Sequence, residues 1–195
     1  MDDVIKYIKN NYIINEVYND SKYKIEINKV DYMLLVIDIY HHEWSKLKSF
    51  DVEKYKERII NNYKLCSILN IGPKLHQSFS VRNYPIMILE YLPHNITEEM
   101  IYKYGDKYKE FVERFHNLGI YHGDLHGGNM RLDKNMNIKM IDLGKLFFDD
   151  EININLNISI NPIVKEWLES GYDIKNIKDF ITYESNECWK IIVDD

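Results

Sequence analysis

The distribution of glycine constrains this chain most, because glycine marks where a backbone turns sharply or lets another group come close. None of the eight glycines precedes Gly72, and Gly123, Gly127, Gly128 and Gly144 fall close together. The first 71 residues must therefore turn on other residue types. They read as a short helix followed by strands. Val4, Ile5, Ile8 and Tyr12 recur at helical spacing. Runs rich in β-branched and aromatic residues follow at Tyr12–Tyr18, Tyr23–Ile27 and Met33–Tyr40. Asn19-Asp20-Ser21 and Asn28-Lys29 separate these runs, which predicts an antiparallel meander.

Asp51 is placed to cap a helix over Val52–Leu69, with Tyr55, Ile59, Tyr63, Cys66 and Leu69 as its inward stripe and Gly72-Pro73 as its end. Strands are expected at Lys74–Val81 and Pro85–Glu90. Thr97 with Glu98 and Glu99 reads as a helix start, and a stronger helix spans Asp106–Leu118 with Gly119 as its left-handed stop. Two short β pieces, Asn129–Leu132 and Ile138–Ile141, come next. Further on, Ile152–Ile160 alternates apolar with polar residues, Pro162 opens a helix closed by Gly171, and a last helix spans about Ile174–Ile181. The pattern is α+β: a mostly β first half with one long helix, then a mostly helical second half.

A chain of 195 residues and 23.5 kDa forms one compact domain or one domain in two lobes, and buries roughly 70% of its unfolded surface. With 45% apolar and 29% charged residues it is neither a disordered tail nor a fibrous repeat. No apolar run approaches the roughly 18–20 residues of a membrane span, and Met-Asp-Asp at the start lacks the basic and apolar regions of a signal peptide. Cys66 and Cys188 are too few for a disulfide framework. The expectation is a soluble cytoplasmic protein, in the host's cytoplasm if the AT-rich genome behind its Ile, Asn, Lys and Tyr bias is viral. A net charge of −6 argues against a nucleic-acid footprint.

The densest chemical signal is Tyr121-His122-Gly123-Asp124-Leu125-His126-Gly127-Gly128-Asn129, followed thirteen residues later by Asp142-Leu143-Gly144. Phosphoryl transfer from ATP needs Mg²⁺ held by hard oxygen ligands and a carboxylate that orients the attacking hydroxyl. Asp124 and Asn129, five residues apart, meet part of that need, and Asp142 holds the metal from the other side.

These residues resemble the protein-kinase-like superfamily. His122-Gly123-Asp124-Leu125 with Asn129 is similar to its catalytic loop, and Asp142-Leu143-Gly144 to its metal-binding Asp-Phe-Gly motif. Leu89-Glu90-Tyr91-Leu92 resembles the gatekeeper and hinge. The resemblance implies a minimal two-lobed fold in a single domain, 1–195, with an antiparallel β lobe plus one helix to about Glu90 and a short, mainly helical lobe over 91–195. It also implies ATP with Mg²⁺ or Mn²⁺ as cofactors. The adenine would be read by the Glu90 carbonyl and Leu92 amide, the metal held by Asn129 and Asp142, the substrate hydroxyl oriented by Asp124, and the transferring group stabilised by His126. Glu57 corresponds to the helix glutamate that would pair with a phosphate-binding lysine.

The first half departs from that family. It has no glycine-rich phosphate loop, so the turn Asn19-Asp20-Ser21-Lys22 must serve, and Leu35-Val36-Ile37-Asp38 offers an acid where the third strand should carry a lysine. Lys24, Lys29, Lys46 and Lys48 stand as candidates for a relocated cation. His126 and Gly123 make the loop closer to aminoglycoside phosphotransferases and bacterial sugar kinases. The favoured substrate is a Ser or Thr hydroxyl on a protein, followed by a small-molecule hydroxyl. Two rivals use the same residues: a pseudokinase that binds without turnover, and a zinc-dependent hydrolase with His122, Asp124, His126 and Asp142 as ligands. The oligomeric state is open.

Overall fold

The computed structural model describes residues 1–38, 52–122, 125 and 127–148, apart from the side chains of 98, 101, 102, 145 and 147. The Asp51 cap, the loop residues Asp124 and His126, and every element expected after residue 150 lie outside the described residues.

Helix α1 (Asp2–Asn11) leads into the meander β1 (Ile13–Asn19), β2 (Lys22–Ile27) and β3 (Val30–Val36). The chain continues through α2 (Val52–Ile68), β4 (Leu75–Val81) and β5 (Tyr84–Glu90). The strands form one antiparallel sheet in the order β1-β2-β3-β5-β4. Then come β6 (His94–Asn95), α3 (Glu98–His116), β7 (Ile120–Tyr121), β8 (Met130–Leu132), β9 (Ile138–Met140) and β10 (Phe147–Phe148). Strands β6-β8-β9 make a small second sheet, and β10 pairs with β7. The α+β class expected from the sequence is the one observed.

Strand alternation sorts the core into two clusters. On one face of the main sheet, Tyr23, Ile25, Leu34, Val36, Ile86 and Ile88 pack with Val4 and Ile8 of α1. On the other face, Ile37, Met87 and Leu89 join Tyr55, Ile59, Tyr63 and Cys66 of α2, and Phe111, Val112 and Phe115 of α3. β5 is buried on both faces, as its unbroken Pro-Ile-Met-Ile-Leu run requires.

The turns use residues other than glycine. Ile27 pairs with Val30 around Asn28 (φ 51°) and Lys29 (φ 63°), the pair of positive φ values that matches strand twist in a two-residue hairpin. Helix α2 stops at Asn70 (φ 58°) rather than at Gly72-Pro73. The Ile71 amide donates to the Cys66 carbonyl at 2.9 Å and the Asn70 amide to the Ser67 carbonyl at 3.2 Å, a Schellman closure with Asn70 as its left-handed residue. Gly72 serves packing instead, since a Cβ there would lie 2.8 Å from Cys66 Cβ. The helix start at Thr97 and the helix from Asp106 form a single element kinked at Tyr104 (φ −128°, ψ 25°). The Thr97 hydroxyl accepts from the Met100 amide at 3.3 Å. Gly119 (φ 68°) follows the helix, as expected.

Candidate functional site

Hairpin β8–β9 carries the two residues expected to hold a metal. Gly127–Asn129 forms one 3₁₀ turn, which leaves Asn129 buried at the start of β8. Met130 pairs with Met140, and the next rung is the Ile141 amide donating to the Asn129 carbonyl at 2.8 Å. Asn129 and Asp142 are thereby brought to the same end of the hairpin. The His122 ring is fully buried, and its Nε2 is 2.8 Å from the Ile141 carbonyl, which ties the start of the loop to the same place.

Asp142 is left-handed (φ 59°, ψ 50°) and exposed. A non-glycine residue held in this region signals a position fixed by its surroundings. Those surroundings are α2. Asn62 Nδ2 donates to the Leu143 carbonyl at 2.8 Å, and an Arg58 guanidinium nitrogen donates to the Leu146 carbonyl at 2.7 Å. Tyr63 meets the backbone of Leu143 and Asp142 with its hydroxyl. Burial first, and the Asp142 carboxylate second, push the Tyr55 and Tyr63 hydroxyls well above their usual range, so both stay protonated and neutral beside that acid.

A cavity of about 420 Å³ opens between the main sheet and this hairpin. Met33, Leu35 and Leu89 of the sheet line one side, Arg131, Ile141 and Asp142 another, and Glu90, Tyr91, Leu92 and Pro93 its edge. The volume suits a nucleotide-sized ligand, and the apolar walls with few polar groups suit a flat ring. Glu90 is held on both sides of its backbone: its amide donates to the Lys74 carbonyl at 2.8 Å and its carboxylate accepts from the Lys74 amide at 3.1 Å. At the mouth, the Tyr18 hydroxyl lies 3.0 Å from the Glu16 carboxylate and 3.2 Å from the Tyr91 hydroxyl, linking β1 to that edge.

Glu90, Leu92 and Asp142 thus share one cavity, with Asn129 next to it. Glu57 does not join them: it is exposed and lies outside the cavity lining. The buried residues of α2 are instead Tyr55, Lys56, Ile59, Asn62, Tyr63 and Cys66. The third strand also reads differently from expectation. Met33 and Leu35 face the cavity, and the next residue of that parity is Ile37, which is buried in the same apolar cluster as Tyr55 and Ile59. Ile37 and Asp38 lie past the end of β3 and outside the cavity lining, so the cavity face of β3 is apolar, formed by Met33 and Leu35. Two cations stand in the lining, Lys22, which the sequence names only as the end of the turn replacing a phosphate loop, and Arg131, which sequence reasoning missed. Parity with Lys24 along β2 and with Asn129 along β8 is the signal that points to them.

Among the described residues, no group of three or more His, Cys, Asp or Glu side chains converges on a metal position. Two of the four zinc ligands of the hydrolase reading lie outside those residues. No described helix is long and apolar enough to cross a membrane.

No family model matches the chain. The chain is partly similar to protein kinases. Over 135 residues, 64% of its length, it is 29% identical to the serine/threonine-protein kinase PKH1 of Saccharomyces cerevisiae and covers 16% of that protein. Over 98 residues, 45% of its length, it is 31% identical to CBL-interacting protein kinases 15 and 14 of Oryza sativa subsp. japonica and covers 22% of each. The chain spans less than a quarter of the length of these curated relatives.

Proposed function

We propose that the chain is an ATP- and Mg²⁺-dependent phosphotransferase that phosphorylates a Ser or Thr hydroxyl on a protein. It would act as a minimal kinase-like domain with a sheet lobe to about Glu90 and a helical lobe after it. The observation that carries this reading is the meeting of Asn129 and Asp142 at one end of β8–β9, beside a cavity edged by Glu90 and Leu92. Partial likeness to a serine/threonine-protein kinase supports the choice of acceptor.

The donor set fits a hard cation: one amide oxygen, from Asn129, and one carboxylate, from Asp142. Bound there, Mg²⁺ would supply charge neutralisation for the triphosphate. The protein's own work is positional. The Glu90–Leu92 backbone holds the adenine edge, Met33, Leu35 and Leu89 exclude water from its faces, and α2 fixes the backbone that presents Asp142. Asp124 orients the acceptor hydroxyl and takes its proton as the oxygen bonds to the γ-phosphorus and ADP departs, with His126 stabilising the group in transit.

Labelled ATP with Mg²⁺ or Mn²⁺, offered with generic protein acceptors, tests this reading. Wild type transfers label, whereas Asp124→Ala and Asp142→Asn lose at least about 100-fold. The apolar Ile37 and the glycine-free turn at 19–22 favour one rival, a domain that binds nucleotide without turning it over. A nucleotide-dependent melting shift in wild type, without label transfer to protein or small-molecule hydroxyls, would establish that rival instead.

A further inference from the structure

The residues of β3 that line the cavity, Met33 and Leu35, are apolar, so a bound nucleotide's phosphates need a cation from another element. Strand pairing supplies one. Lys22 stands directly opposite Leu35 in the β2–β3 ladder, and directly opposed residues of an antiparallel pair share a face. Leu35 lines the cavity, and so does Lys22. We propose that Lys22 is the phosphate-binding cation of this cleft, contacting the nucleotide's phosphates from β2 in place of β3; the inference rests on the nucleotide reading given above.

The other lysines are poorly suited. Lys24 Nζ lies 2.9 Å from the Asp31 carboxylate and 4.6 Å from the centre of the Tyr91 ring, and it is absent from the cavity lining. Lys29 sits exposed in the turn at the far end of the hairpin. Lys46 and Lys48 lie outside the described residues. Arg131 does line the cavity, but its guanidinium donates to the Gly128 and Met130 carbonyls, each at 2.9 Å. Among the described residues, the Lys22 side chain has no hydrogen bond or ion pair, although three acids, Glu16, Glu90 and Asp142, share its cavity.

Lys22 is also held at a fixed point. It follows a turn in which the Asn19 side-chain carbonyl accepts from the Ser21 amide at 2.9 Å and the Ser21 hydroxyl at 2.8 Å. The Tyr23 hydroxyl donates to the Asp20 carbonyl at 2.8 Å, and the Val36 amide to the Ser21 carbonyl at 2.7 Å. A glycine-rich loop wraps phosphates with mobile backbone amides. Here a stiff turn delivers one flexible ammonium group, a point charge that needs no particular approach angle.

The test is calorimetric titration of adenosine, ADP and ATP, each with Mg²⁺, into wild type, Lys22→Met, Lys22→Arg and Lys24→Met, with the melting temperature of each ligand-free variant recorded alongside. Loss of one charge-assisted contact predicts that Lys22→Met weakens ADP and ATP by about 10- to 100-fold and leaves adenosine unchanged. Lys22→Arg should recover part of the loss, and Lys24→Met should match wild type. The inference is overturned if wild type prefers ATP to adenosine and Lys22→Met keeps that preference, or if an intact Lys22→Met fold loses adenosine equally. A wild type that binds neither ligand removes the nucleotide reading itself, and the role of Lys22 with it.

Discussion

His116 shows how surroundings set a side chain's charge state. Its ring lies edge-on to Phe115 at 4.5 Å and stacked on Tyr121 at 5.1 Å, and among the described residues its Nε2 finds no hydrogen-bond partner. Burial lowers its pKa from the ordinary 6.5 to about 4. The unfolded chain therefore binds a proton there before the folded chain does, and stability contributed by the neutral ring is complete above about pH 6.5 and declines as pH falls towards 4. The full loss is about 3 kcal/mol. Urea unfolding at pH 7 and pH 4.5 should give a larger difference for wild type than for His116→Phe, which keeps the stack and removes the titration. Asp133 is distinguishable. Its burial would raise its pKa, but the Asn137 side chain and the Asn137 and Asn135 amides outweigh this and lower it, so its contribution fades only below its ordinary 3.8. At this scale much of the site was legible. Spacing alone brought out Asn129 and Asp142. Lys22 and Ile37 were hidden because their facing depends on strand register, and β1 carries two irregularities that no spacing rule reveals.

The end of α2 is the most informative single element. Asn70 turns the chain, and its carbonyl accepts from Lys139 Nζ at 3.2 Å and from Arg114 at 3.1 Å, while its side-chain carbonyl takes a further bond from Lys139. Asn70→Ala should cost about 1–2 kcal/mol, since alanine resists the left-handed backbone and offers no side-chain acceptor. Asn70→Gly should cost less, because it regains the backbone freedom. Chemical denaturation of the two variants checks the order. The sequence pointed to Gly72-Pro73 because glycine is the commonest stop. What it could not display was the close approach of Cys66 to Gly72, a tertiary demand that claims the glycine for packing and leaves the turn to asparagine. The boundaries of α2, β4 and β5 came through to within a residue, and the second half of α3 in its apolar periodicity. The kink at Tyr104 did not, for a helix start and a helix body look like separate elements until they stack.

Across the described residues, one apolar cluster runs from the main sheet through α2 and α3 to Leu143 and Leu146, and Ile37, just past β3, is its outpost. Ile37→Lys places an ammonium group in that apolar cluster, and should destabilise by roughly 3 kcal/mol or more rather than restore a phosphate contact. Thermal melting with and without ATP separates the two results: a lower midpoint with no gain in nucleotide affinity is expected. The same continuity has a regulatory corollary. Where a kinase-like domain joins strand to helix by one ion pair, a swinging helix breaks and remakes that latch. Here the helix is bolted by Asn62, Arg58 and Tyr63 to the peptide just beyond Asp142, so the two travel together. Control of such a protein falls to access and encounter, not to a helix toggling in and out of place.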